Sequence, residues 1–350
     1  MGLTYNGVEP DEITYNGQPV DSVTYNGVEV WSADTFTDLK VKYIKNAFNL
    51  FGTRTNTTLY PLISTDGSKI AVLEYGNTSS YGLYDIVNNT FNVVSKDISG
   101  INPSGSINYV SQNKINNKWV NFVYRSSKNL YAIEFDGTEF TYKNILLTDQ
   151  TSGDITGVLI ARGEESNAVK IIGKGATTGK NYLLTINIAN DLTMAIDLPI
   201  ELATNQDYSG TATTTLISEN GSVFGHLVST GSFTNFDPRY ITKIDNSGNI
   251  TDVQLSEETI TPSWGGNNIN VIYKYKNQYV NIPKSSATVQ VKNTFVDTPD
   301  LVIKEVTEID YSDISTLSPG LLIMLNNAAY QIQTTSDQTI VIKIDFIKAP

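Results

Sequence analysis

The chain has 350 residues, a formal net charge of −12, a pI near 4.6, no cysteine and one histidine. Without cysteine there is no disulfide, thiol nucleophile or cysteine metal site, and with His226 alone there is no Ser-His-Asp triad and no HExxH zinc motif. The acidic balance and the lack of a basic run disfavour nucleic acid and an anionic membrane surface, and no stretch approaches the roughly 18 apolar residues of a spanning helix.

The chain begins with a ten-residue unit written three times: LTYNGVEPDE from Leu3, ITYNGQPVDS from Ile13 and VTYNGVEVWS from Val23. Asn6-Gly7, Asn16-Gly17 and Asn26-Gly27 supply the two positive-φ residues of a type I′ turn, and the flanks alternate apolar and polar, so each copy predicts a minimal hairpin. Pairing across the turn sets Tyr5 opposite Val8 and Leu3 opposite Pro10, with Thr4 opposite Glu9 on the other face; the later copies repeat this division closely. Arms of about three residues are too short to be stable alone. Pro10 and Pro19 remove ladder donors, which suits exposed edges. One face of each hairpin therefore wants a partner, either the large domain that follows or, as we expect, another subunit or chain. The residues that would make this contact are Leu3, Tyr5, Val8, Ile13, Tyr15, Val23, Tyr25, Val28, Val30 and Trp31. Because the sequence opens on this repeat and not on a basic segment followed by an apolar run, the expectation is a leaderless protein made in a cytoplasm. Asn6 stands where a myristoylation pattern needs Ser or Thr.

Residues 33–58 carry Phe36, Leu39, Val41, Ile44, Phe48 and Leu50 without a clean helix or strand period, which leaves a linker or a closing strand. From Leu59 onward, short β-rich runs alternate with Gly, Asn, Asp and Ser clusters, the pattern of a sandwich, barrel or propeller. A long-period self-similarity decides among them. The run Leu62-Ile63-Ser64-Thr65-Asp66-Gly67-Ser68 returns as Leu216-Ile217-Ser218-Glu219-Asn220-Gly221-Ser222, an offset of 154 residues or three units of about 51. A second marker, strand–tight turn–strand, recurs around Asn88-Asn89, Asp136-Gly137, Asn190-Asp191 and Ser247-Gly248. Continuing the period places turns near Lys292-Asn293 and Ser336-Asp337. A four-stranded unit of this length is a propeller blade, so the predicted fold is all-β, a β-propeller of about six four-stranded blades over residues 59–350. The alternative for residues 261–350 is a separate small β-domain. The Ser64-Thr65-Asp66-Gly67 turn resembles the Ser-Pro-Asp-Gly turn of TolB- and kelch-like propellers, a resemblance that speaks to fold and not to function.

The search for chemistry finds no reaction centre. Asp245-Asn246-Ser247-Gly248-Asn249 and the segment from Asp149 to Asp154 lack the alternating oxygen ligands of a calcium loop and read as turns. Two carboxylates would suffice for glycoside hydrolysis, but 36 acidic residues supply some such pair by chance. Sialidase-type propellers, which this chain resembles in blade size, need three arginines on the substrate carboxylate and Asp-box repeats. Here the arginines are Arg54, Arg125, Arg162 and Arg239, and no full Ser-x-Asp-x-Gly-x-x-Trp occurs. We expect no enzymatic activity and no cofactor. Trp264 in TPSWGGNN, with Tyr75 and Tyr81 bordering YGNTSSYGLYD, could stack on a sugar; the competing role is packing in blade cores. Trp31 and Trp119 share that ambiguity, and His226 reads as an ordinary strand residue.

The tandem x-Thr-Tyr-Asn-Gly-Val-Glu-Val unit ending in Trp31 resembles short modules in tail, baseplate and fibre proteins of bacteriophages. That resemblance implies a virion structural protein in which residues 1–32 attach to other virion proteins or mediate homo-oligomerisation. Residues 33–58 would be the linker or closing strand and residues 59–350 the propeller, which would either decorate the particle or meet a host cell-surface glycan. Two alternatives stay open: a bacterial carbohydrate-binding propeller, and a polysaccharide depolymerase.

Overall fold

The computed structural model describes residues 14–15, 18–19, 22–25, 28–32, 39–49, 59–74, 76–102, 107–125, 128–148, 153–163, 167–202, 216–219, 221–225, 240–254, 270–275, 278–283, 288–292, 302–305, 323–325, 328–334 and 338–348. The hairpins come first: β1 (Thr14–Tyr15) and β2 (Gln18–Pro19) flank Asn16-Gly17, and β3 (Ser22–Tyr25) and β4 (Val28–Ser32) flank Asn26-Gly27. A long strand follows, β5 (Leu39–Asn49). The first sheet is β6 (Leu59–Ile63), β7 (Lys69–Glu74), β8 (Ser80–Asp85) and β9 (Thr90–Ser95). The second is β10 (Ile107–Ile115), β11 (Lys118–Arg125), β12 (Asn129–Phe135) and β13 (Phe140–Leu146). The third is β14 (Ile155–Arg162), β15 (Ala168–Gly175), β16 (Asn181–Ile188) and β17 (Met194–Ile196), with β18 (Ile200–Glu201) also paired to β16. The fourth is β19 (Leu216–Glu219), β20 (Ser222–Gly225), β21 (Tyr240–Ile244) and β22 (Ile250–Gln254), and the fifth is β23 (Asn270–Tyr275), β24 (Gln278–Pro283), β25 (Thr288–Lys292) and β26 (Val302–Glu305). The sixth takes β27 (Ile323–Leu325), β28 (Ala328–Thr334) and β29 (Gln338–Lys348) from the end of the chain and its fourth strand, β5, from the beginning.

Within each sheet the strands run as an antiparallel meander, whereas β14 and β19 pair in parallel at Ala161↔Leu216 and Arg162↔Ile217. A parallel contact between first strands is what radially arranged meanders produce at their inner edges. The first strands β6, β10, β14, β19 and β23 touch in that order, and β28 returns to β6. Ring closure is made by β5 against β29, in unbroken register from Gln338↔Asn49 to Lys348↔Leu39. Of the two roles open for residues 33–58, strand is therefore the one that residues 39–49 adopt. The final strands pack against the first sheet. Ile323, Leu325, Ala328, Tyr330, Ile332 and Val341 share a core with Leu59, Ile63, Ile70, Val72 and Tyr84.

Burial follows from this radial packing. A blade is covered on both faces by its neighbours, so β6 is buried along its whole length and Val120 to Arg125 of β11 without interruption, where burial in a one-sided sheet would alternate. Outer strands face water, and β9 and β13 are mostly exposed. Two further clusters fill the seam between the first and second sheets and the seams from the second to the fourth.

The period seen in the sequence has a structural meaning. The turns after Leu62-Ile63 and after Leu216-Ile217 both join the first strand of a sheet to the second, three sheets apart, while the four strand–turn–strand markers all join third strands to fourth strands. Lys292-Asn293 likewise follows a third strand. Ser336-Asp337 instead falls between the second and third strands of the sixth sheet, because β5 supplies the fourth strand and no third-to-fourth turn exists there. At the first of these turns Asp66 accepts from Ser64 Oγ at 2.6 Å and from the Ser68 amide at 3.0 Å. Gly67 has φ +75°, and a Cβ there would lie 3.2 Å from Trp119 Nε1 in the next blade, so glycine serves both the turn and the seam.

Side-chain amides join the inner strands. Asn121 Oδ1 accepts from the Ile63 amide at 2.6 Å, and its Nδ2 donates to the carbonyls of Ile63 (2.9 Å) and Ile133 (3.1 Å). Gln112 donates to the Pro61 carbonyl and Asn113 to the Ala161 carbonyl, so the second blade is held to the first and to the third. Asn121→Ala leaves three buried backbone groups without this partner and is expected to lower stability by about 2–4 kcal/mol in denaturant unfolding; a loss within experimental error would mean that the amide is not a clamp.

Candidate functional site

In the second copy of the repeat Tyr15 pairs with Gln18 and Thr14 with Pro19; in the third, Tyr25 pairs with Val28 and Thr24 with Glu29. These are the expected pairings of two-residue turns. The register then departs from expectation, since Val23 pairs with Trp31 where alternation predicted Val30. Val30 is an extra residue on β4, a bulge beyond which the ladder resumes one residue out of step at Val23↔Trp31 and Ser22↔Ser32. Leu3, Tyr5, Val8 and Ile13 lie outside the described residues; Tyr15, Val23, Tyr25, Val28, Val30 and Trp31 lie on the hairpin strands. Each hairpin is a two-stranded sheet of its own, and only residues 33–38 separate β4 from the closing strand β5.

The aromatic residues considered for sugar stacking are not brought together. Trp264 and Tyr75 lie outside the described residues, as does His226. Tyr81 is 1% exposed and meets Phe140 and Phe135 edge-on at 5.2 and 6.0 Å, so its ring is core and offers no face to a glycan. It sits on β8, whose faces are both covered by neighbouring blades, and burial pushes its hydroxyl above the ordinary tyrosine range, with the charges of Glu139 and Asp136 adding to the effect. Trp119 packs partly buried in the seam between the sixth, first and second sheets.

The acidic turn residues are committed to the backbone. Asp245 accepts from the amides of Ser247 (2.8 Å) and Asn249 (2.9 Å) and from Asn249 Nδ2 (2.8 Å), and Asp154 is ion-paired to Lys128. Among the described residues no group of three or more His, Cys, Asp or Glu converges as a metal site would require, and no helix is long and apolar enough to cross a membrane.

Two features escaped the sequence reading. A cavity of about 320 Å³ opens between the β10–β11 turn and the β16–β17 turn, with Ile115, Val120, Ile188 and Leu192 as apolar lining and Asn116, Lys118, Glu134 and Asn190 as polar lining. Asn116 Nδ2 spans the two turns to Asn190 Oδ1 at 3.0 Å, and Lys118 lies 3.9 Å from Glu134. The other feature is a pair of buried arginines, Arg125 at 1% and Arg162 at 8% exposure. Arg125 Nη2 donates to the Ile101 carbonyl at 2.6 Å and to Asn102 Oδ1 at 3.3 Å, and its guanidinium lies 5.5 Å from the centre of the Tyr131 ring. Burial holds Arg125 below the usual arginine range, partly offset by Tyr131 and Tyr60. A legible signal existed for Arg162, an arginine that closes the otherwise apolar run Val158–Ala161.

No protein-family model matches the chain, and no curated protein matches it. Among solved structures it is similar to a structural-genomics protein of unknown function from Bacteroides thetaiotaomicron, at 9% identity and a TM-score of 0.51, covering 95% of this chain and 81% of that one. It is also similar to the WD40 domain of Toxoplasma gondii coronin, at 8% identity and a TM-score of 0.42, covering 90% and 88%. A third similarity is to the WD40 domain of SCAP from fission yeast, at 8% identity and a TM-score of 0.37, covering 77% of this chain and 59% of that one. This chain thus spans less than two thirds of the length of the yeast protein.

Turn carboxylates set the response to acid. Amide donors hold Asp85, Asp97, Asp136 and Asp191 below their ordinary pKa of 3.8, and Asp245 is lowered by the Asn249 side chain and then by amides. A carboxylate lowered in the folded state stabilises it above the unfolded pKa, and the contribution is lost as pH falls through the folded value. The melting temperature is therefore expected to fall from about pH 5 toward about pH 2, and Asp136→Asn to flatten that fall; a melting temperature unchanged across the window would contradict this role. The strand order, the parallel β14–β19 pairing and the β5–β29 closure together define the fold: the chain is an all-β propeller, and its described strands form six four-stranded blades, with β18 added to the third.

Proposed function

We propose that the chain is a non-enzymatic structural protein of a bacteriophage particle, in which residues 1–32 attach a propeller to other virion proteins or to further copies of the chain. The observation that carries this reading is the pair of self-contained hairpins immediately ahead of the closing strand, written in a repeat that resembles modules of phage tail, baseplate and fibre proteins. A two-stranded hairpin is marginal in isolation, and the outer edges of β1 to β4 carry ladder groups that a partner strand can use. The position also favours attachment, because β5 holds the start of the body at the rim of the sixth blade. On this reading the propeller is the displayed part, and a host cell-surface glycan is the partner class it would meet. That contact does not involve Tyr81, whose ring is buried.

Deletion tests the division of labour. Removing residues 1–32 spares β5, and the product is expected to melt within a few degrees of the full chain while losing its oligomeric mass and its incorporation into particles. Removing residues 1–49 also takes the closing strand, and that product is expected to aggregate or to melt at a much lower temperature. If the 1–32 deletion has the same mass in solution and the same particle incorporation as the full chain, the attachment reading is wrong.

A further inference from the structure

We propose that Arg162 is an oxyanion-binding residue at the inner seam of the third and fourth blades, where it takes a carboxylate or phosphate group of a ligand. Its side chain is buried, and among the described residues Nε, Nη1 and Nη2 all lack a hydrogen-bond partner. A guanidinium does not shed its proton to escape burial, and a buried charge without a partner is strongly disfavoured. Arg125 shows how this fold satisfies a buried arginine when its role is structural, through a carbonyl, an amide oxygen and an aromatic face. Among the described residues Arg162 has no equivalent. The ion-paired carboxylates of Glu134, Glu139, Asp154 and Glu201 are engaged by Lys118, Lys96, Lys128 and Lys180.

The strand that carries Arg162 is fixed on both sides. The Ala161 carbonyl accepts from Asn113 Nδ2 at 2.9 Å and the Gly163 carbonyl from the Lys114 amide at 3.2 Å, while Ala161 and Arg162 pair with Leu216 and Ile217. At Gly163 a Cβ would come within 2.8 Å of the Ser218 carbonyl oxygen, so the backbones of the two blades meet there directly. A planar fork on a strand held in this way is suited to the two oxygens of a carboxylate or phosphate. The inner end of a blade is also where ring architectures leave room for ligands. This inference is independent of the attachment role of residues 1–32.

Glu164 and Glu165, which follow Arg162 closely in sequence, and Glu219, which follows its ladder partner Ile217, could supply the same chemistry from within the chain, and the test separates them from an external ligand. Inorganic phosphate, acetate and glucuronate would be titrated against the full chain at constant ionic strength, with chloride as control, reading melting temperature and calorimetric heat. The expected result is a saturable rise in melting temperature with at least one oxyanion, weakened at least tenfold in Arg162→Gln and only partly retained in Arg162→Lys. The ligand-free Arg162→Gln protein should melt no lower than the parent. No saturable shift beyond chloride with any of the three anions would overturn the proposal. So would a double-mutant cycle in which Arg162→Gln and Glu164→Gln, Glu165→Gln or Glu219→Gln destabilise the chain non-additively, because the guanidinium would then be paired internally. Should Arg162→Gln fail to fold, Arg162→Lys decides: binding unchanged from the parent rejects a bidentate site, and weaker binding supports it.

Discussion

Everything in this fold depends on joining the last strand of the chain to an early one. Six meanders arranged around a centre still leave one incomplete blade and two unpaired edges, and exposed edges are sites of aggregation. The β5–β29 ladder, running from Leu39↔Lys348 to Asn49↔Gln338, completes the sixth blade and brings its apolar face against the first. With that ladder in place each seam has two apolar walls. Without it, the seam holding Leu59, Ile63, Tyr330 and Val341 would be held only by packing.

The seams divide the work between apolar area and polar clamps. Apolar clusters supply most of the driving force, which is non-directional and does not by itself fix how one blade sits on the next. Direction comes from a few buried amides near the inner strands. Asn121 holds both backbone groups of Ile63, Gln112 reaches Pro61, and Asn113 reaches Ala161. Each of these groups would be costly if left unmet, so they disfavour sliding of one blade against another. Arg162 lies at the same inner seam with its hydrogen-bonding capacity unused among the described residues, which sets it apart from these clamps.

The blade period was legible because turns obey local rules. Asp-Gly and Asn-Gly pairs are required wherever two strands reverse tightly, so the repeat survives in turn residues even where strand sequences diverge. The register of the second hairpin was legible for the same reason. Other features were not, because they depend on contacts between residues distant in sequence. Nothing in Leu39 to Asn49 indicates that its partner begins at Gln338, so the segment gave no clean period and two roles stayed open. The bulge at Val30 breaks an alternation that the sequence alone continues. Tyr81 borders a glycine- and serine-rich loop, so a sugar-stacking face and a place in a blade core both stayed open until the second blade was seen to cover it with Phe135 and Phe140. The cavity lined by Asn116 and Asn190 joins turns more than seventy residues apart.

On the proposed attachment role a closed body carries hairpins that a partner completes, and hydrogen exchange compares the two directly. Measured on the isolated chain and on the chain within the phage particles of the proposed function, amides of β5 and β29 should be equally protected in both. Amides of residues 14–32 should exchange freely in the isolated chain and become protected in the particle. Hairpin amides already protected in the isolated chain and unchanged on assembly, or a chain missing from the particles altogether, would contradict the central claim.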